Sequence, residues 1–161
     1  MNDQYEAIAR MTMEQEQTLR CSHFSNEDAW NLGCCLVERI REQGIALAVC
    51  IRRLNGHVLF QYAGEGTSQN NENWMRRKFN TVALLERCSF GVWAEMEPFG
   101  RTPAFLGQNP ADHAFIGGGF PIRLKTGEMT AVLTVSGLEP EEDHRFLVEG
   151  WKAYLEKTGD C

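Results

Sequence analysis

The sequence predicts an α+β fold, an antiparallel sheet of strands with helices packed on it. Two observations predict it. Apolar residues recur at helical spacing in three separate segments, and two β-prone hairpins lie between those segments, so the element order is helix, hairpin, helix, hairpin, helix. The chain has 161 residues, 43% hydrophobic and 10% aromatic, enough to fill one core, and no internal repeat or Pro/Ser-rich linker divides it.

Residues 1–20 form the one detachable piece, with Tyr5, Ile8 and Met11 on one side of a weakly amphipathic helix that can pack on the domain or on a neighbouring subunit. Ser25 and Asp28 resemble a capping pair. Trp30, Gly33, Val37 and Ile40 follow at helical spacing until Gly44, which predicts a helix over about residues 26–43. Ile45 to Ile51 is continuously apolar, as a strand covered on both faces is, and Asn55-Gly56 reads as a two-residue turn into a second strand from His57 to Tyr62. Beyond Gly64 and Gly66 a polar stretch leads to a helix from near Asn71 to about Arg87, carrying Met75, Phe79, Val82 and Leu85 on one face. Ser89 to Gly100 continues as another helical piece, and Thr102 to Asp112, with Pro103, Gly107 and Pro110, reads as an ordered loop. Ala114–Leu124 and Met129–Leu138 are the strands of a second hairpin, joined by Lys125-Thr126-Gly127-Glu128. Leu147, Trp151 and Tyr154 mark the packed face of a last helix of about residues 141–157.

Charge and cysteine usage narrow the function classes. Sixteen basic against 22 acidic residues leave a net charge of −6, whose average field opposes binding to nucleic acid or anionic lipid. No apolar run resembles a signal peptide or a membrane span, so the chain is expected to be cytoplasmic, without nucleic-acid or membrane partners. Cys21, Cys34, Cys35, Cys50, Cys88 and Cys161 contain no Cys-x-x-Cys pair, which argues against a zinc knuckle, a thioredoxin-like site and a disulfide scaffold.

Three features bear on chemistry. Gly117-Gly118-Gly119-Phe120-Pro121 interrupts a strand with residues that weaken strands, so it implies a bulge, a tight bend, or close approach by another backbone or a ligand. The polar stretch entering the Asn71 helix presents free N–H groups, beside which Arg77 and Lys78 can hold a carboxylate or phosphate; the alternative is that Asn71 caps the helix and Arg76, Arg77 and Lys78 are a solvated face. Asp112-His113 and Asp143-His144 are two Asp-His pairs, in which a carboxylate can orient an imidazole for proton transfer or metal binding, although histidines in such places are mostly structural. No Gly-x-Ser-x-Gly elbow supports a covalent mechanism, and no metal site is assigned.

Trp30 and Gly33, Asn71 with Trp74, Arg77 and Lys78, Gly117 to Ile122, Val135 to Leu138, and Asp143 with His144 occur in one order across residues 25–157. In these residues the chain resembles the heme-degrading domain family of GlcG-like and HbpS-like proteins, in a branch whose members are largely uncharacterised. The resemblance implies a profilin-like, three-layer α/β/α fold with about five antiparallel strands, and a homo-oligomer. It divides the chain into an N-terminal extension, residues 1–24, and a domain, residues 25–161. It also implies heme as the ligand to try first. His23, His57, His113, His144 and the methionines are all candidate iron ligands by type, and there is no Cys-x-x-Cys-His attachment motif. The expectation is therefore an oligomeric domain binding a small anionic ligand, with Asn71, Trp74, Arg77, Lys78, Gly117, Gly118, Gly119, Phe120, His113, Asp143 and His144 bordering one pocket. The competing expectation is an assembly or adaptor protein in which these residues build subunit contacts.

Overall fold

The computed structural model describes residues 2–160. Five strands form one sheet in the order β1-β4-β5-β2-β3: β1 (Arg20–Cys21), β2 (Ala48–Arg53), β3 (Val58–Ala63), β4 (Gly119–Leu124) and β5 (Met129–Ser136). The helices are α1 (Asp3–Thr18), α2 (Asn26–Gln43), α3 (Gln69–Leu85), α4 (Ser89–Met96) and α5 (Pro140–Thr158). All strand pairs are antiparallel except β1, which runs parallel to β4. A two-residue strand is too short for a periodic signal, which is why β1 is absent from the sequence pattern.

Alternation along the strands divides the apolar residues between the two faces of the sheet. Val49, Ile51, Phe120, Ile122, Leu133 and Val135 join Leu32, Leu36 and Ile40 of α2 and Leu147 and Trp151 of α5 in the main core. Ala48, Cys50 and Val132 meet Met75, Phe79 and Val82 of α3 in two smaller clusters. Because β2 and β5 are covered on both sides, they read as continuous apolar runs rather than alternating ones.

Both hairpins close in one manner. Arg53 N–H donates to His57 O and Gly56 N–H to Arg53 O; Leu124 N–H donates to Glu128 O and Gly127 N–H to Leu124 O. Each loop thus holds three residues and ends on a left-handed glycine, Gly56 (φ 91°) or Gly127 (φ 97°). The two-residue turn expected at Asn55-Gly56 is corrected: it needs a positive φ at Asn55 too, and among the described non-glycine residues only Glu86 has one. α2 begins with the reciprocal Ser25–Asp28 capping box that its sequence implied. For α3 the cap is Ser68, and Asn71 is the returning member three residues on, its Oδ1 accepting from Ser68 N–H at 2.9 Å.

The glycine segment begins β4 only at Gly119, so the strand expected from Ala114 is five residues shorter, and what precedes it is close packing. A Cβ on Gly117 would lie 2.0 Å from Pro140 O at the start of α5; on Gly118 (φ 114°) it would lie 2.6 Å from Lys78 Nζ, and on Gly119 2.9 Å from Val82 Cγ2. The close approach is therefore made by other parts of this chain. Gly117→Ala is expected to destabilise the protein by about 1–3 kcal/mol, since an extra methyl must displace backbone rather than a flexible side chain. The midpoint of urea unfolding reads this directly, and an unchanged midpoint would mean that the start of α5 moves aside freely.

Candidate functional site

One turn of α3 places Trp74 and Arg77 on the same face, and the Arg77 guanidinium lies 4.3 Å from the centre of the Trp74 ring. Arg77 Nη2 also donates to Pro110 O at 2.8 Å and, more weakly, to His113 O at 3.4 Å. Arg76 holds the Asp112 carboxylate and Ala111 O, both at 3.0 Å, so two arginines strap the loop of residues 102–113 onto α3. From the far side of this loop Arg101 reaches between Phe99 and Phe105, 4.7 and 4.2 Å from their ring centres. The space between is a cleft of about 290 Å³ whose walls include Trp74, Arg77, Arg101, Pro110, His113 and Phe115.

Two groups of this cleft have unused hydrogen-bonding positions, one closed within the wall and one open. Arg77 Nε is buried without a hydrogen-bond partner, and burial together with neighbouring Arg76 draws its pKa below the usual guanidinium value. His113 Nδ1 lies 3.4 Å from Asn109 O. A carbonyl only accepts, so Nδ1 carries the proton in the neutral ring and Nε2 keeps its lone pair. Guanidinium groups laid on aromatic faces, with a basic imidazole nitrogen nearby, suit a flat ligand bearing carboxylates. An adjoining cavity of about 420 Å³ shares Glu97, Phe115 and Ile116 with the cleft.

Of the residues expected to border one pocket, the structure brings together Trp74, Arg77 and His113. Lys78 and Asp143 are instead an interior ion pair: Lys78 Nζ donates to Asp143 Oδ2 and to Val135 O, each at 2.9 Å, and both side chains are buried. The solvated basic face expected as the alternative is corrected by the same contact. Val135 N–H donates to Gly118 O, but the strand turns away at Gly118, so Lys78 supplies the donor that Val135 O lacks. Gly117, Gly118, Gly119 and Phe120 are buried, and Asn71, joined through Nδ2 to Ser136 Oγ at 3.2 Å, serves the start of α3. His144 is also interior, with Nε2 2.8 Å from Gln15 Oε1 of α1 and its ring against Phe90.

Neither Asp-His dipeptide forms an Asp-His contact, because Asp112 turns to Arg76, Asp143 to Lys78 and His144 to Gln15. Among the described residues there is no group of three or more His, Cys, Asp or Glu able to hold a metal, and no helix is long and apolar enough to cross a membrane. The residue missed in the sequence is Arg101. Its one signal is the run Phe99-Gly100-Arg101-Thr102-Pro103-Ala104-Phe105, an arginine framed by two aromatics in a Gly/Pro loop.

The model of the family described as "Haem degrading protein HbpS-like" matches residues 24–152. The chain belongs to this family. It is 36% identical over 138 residues to a UPF0303 protein of Yersinia enterocolitica, covering 84% of this chain and 81% of that one. The crystal structure of the Ybr137w protein superposes with a TM-score of 0.87 at 27% identity, covering 93% of this chain and 88% of that one. The PduOC:heme complex superposes at 0.68 with 16% identity, covering 81% and 94%, which shows a shared fold.

Proposed function

We propose that the cleft between α3 and the loop of residues 102–113 binds heme or a similar flat, anionic compound, and that the protein acts as a heme-binding member of its family. The observation that carries this is the meeting of His113, Arg77 and Arg101 in one aromatic-walled cleft. Of the four histidines His113 alone suits the iron, since His144 is interior and His23 and His57 lie outside the cleft. Arg77 and Arg101 would hold the propionates. When bound, heme supplies the iron centre at which oxygen and electron chemistry occur. That a relative of the same fold is a heme complex, and that the family carries a heme-degrading description, support the reading.

The expected profilin-like, three-layer arrangement is consistent with α2 and α5 on one sheet face and α3 on the other. A cytoplasmic homo-oligomer goes with this reading. Edge strand β3, with Leu54, Val58 and Trp30 exposed beside it, is the surface that fits a second copy. The same surface supports the alternative, an assembly protein without a ligand. We take residues 25–161 as the binding domain and residues 1–24 as its accessory.

Heme titration separates the two. The chain is expected to shift the heme absorption band at saturation; His113→Ala should change the position of that band, and Arg101→Ala should weaken binding by roughly tenfold, the worth of one charge-assisted hydrogen bond. Arg101 is the better probe than Arg77, because Arg77 also straps the loop. No spectral change with the native chain, or an unchanged band in His113→Ala, would sink the proposal.

A further inference from the structure

The cavity adjoining the cleft, about 420 Å³, lies outside the heme reading, and it differs from the cleft in charge. Its walls come from α1 (Gln4, Ile8), α4 (Phe90, Trp93), the chain just before the glycine segment (Phe115, Ile116) and the start of α5 (Pro140). Phe90 and Trp93 stack with ring centres 5.3 Å apart and planes 2° from parallel, and Tyr5 of α1 backs Trp93 at 5.2 Å. Three carboxylates, Glu97, Glu139 and Glu141, stand among the lining residues, while no lysine, arginine or histidine does. Glu141 meets Arg145 only at 3.8 Å, with both side chains exposed, too loose a contact to satisfy it.

An aromatic wall edged by carboxylates is the inverse of the neighbouring cleft, where guanidinium groups lie on aromatic rings. The negative face of an indole attracts ammonium, most strongly where water is partly excluded, and carboxylates add to that attraction. Glu139 and Glu141, which the cleft lacks, repel an anion such as heme. We propose that this cavity is a second site, for an organic cation that carries an apolar or aromatic body on an ammonium head. The body fills the space between Ile8, Phe115 and Ile116, and the head lies against Trp93 towards Glu139 and Glu141. α1 supplies one wall and lies outside the segment matched by the family model, so the site belongs to chains that carry this helix.

Calorimetric titration with benzyltrimethylammonium chloride, against sodium phenylacetate at equal ionic strength, tests this. Saturable binding of the cation and none of the anion is expected. Glu139→Gln with Glu141→Gln should weaken the cation about tenfold, Ile8→Lys should abolish its binding by placing a competing ammonium in the cavity, and Arg101→Ala should leave it unchanged. Thermal unfolding of each variant checks that it remains folded. Phenylacetate binding as well as the cation, no saturable cation binding, or equal affinity in the double Gln variant would overturn the proposal, and none of these depends on whether heme binds.

Discussion

Lys78→Met is expected to cost about 3–5 kcal/mol, because it leaves Asp143 buried without its counter-charge. Burial draws the Lys78 pKa down and the Asp143 pKa up, and each is opposed by the charge of the other, so the pair persists only as a pair. Its hydrogen bonds show what it holds in place. Lys78 reaches Val135 O at the point where β4 leaves the sheet, and Asp143 Oδ1 accepts from Leu138 N–H at 2.9 Å, tying the end of β5 to the first turn of α5. Replacing both residues, Lys78→Met with Asp143→Asn, keeps an acceptor for Leu138 and removes both charges. The double variant should recover more than half of the loss. Urea unfolding of the single and double variants measures the coupling; a single-variant cost below about 1 kcal/mol, or strictly additive costs, would show that the pair does not carry this junction.

This junction explains how far the sequence could be read. Helix periods and caps are local, so α2, with its Ser25–Asp28 box and terminal Gly44, lies where spacing placed it. The glycine segment, Lys78 and Asp143 were legible as unusual residues, but their purpose is a contact between α3, β5 and α5 that spans 65 residues from Lys78 to Asp143. Spacing along one chain cannot distinguish a lysine that faces water from one that fills a gap in a distant strand ladder. The cleft divides in the same way. Trp74 and Arg77 share a helix face, whereas Arg101 reaches the cleft only because Arg76 and Arg77 strap its loop to α3. The cavity beneath α1 depends on tertiary packing of a helix that showed only weak amphipathy in sequence.

Acid is expected to loosen α1 through His144. Burial pushes the pKa of this imidazole down to about 4 from an ordinary value of 6.5. Gln15 Oε1 accepts from Nε2–H, and Nδ1 is buried with no partner, so the neutral ring fits and a second proton at Nδ1 would meet no acceptor. Because the folded pKa is depressed, the unfolded chain binds the extra proton first. The neutral ring's contribution is complete above pH 6.5 and is lost as pH falls towards 4, at roughly 1.4 kcal/mol per pH unit and about 3 kcal/mol in total. Glu16, the buried carboxyl of α1, acts in the opposite sense: burial raises its pKa, so its contribution is lost as pH rises, and the net profile of the native chain contains both. His144→Gln isolates the histidine while keeping a donor for Gln15. Its stability should lose the acid-side slope, so that the native and variant curves converge by about 3 kcal/mol between pH 6.5 and 4. A second proton on His144 leaves Nε2–H donating to Gln15 but puts an unsolvated charge and an unpaired Nδ1–H against α1, while Glu16 still accepts from Cys88 N–H at the start of α4, and proteolysis within α1 should therefore accelerate in the native chain before global unfolding. Parallel curves for the two proteins, or cleavage of α1 that tracks global unfolding, would rule out His144 as the group through which acid acts.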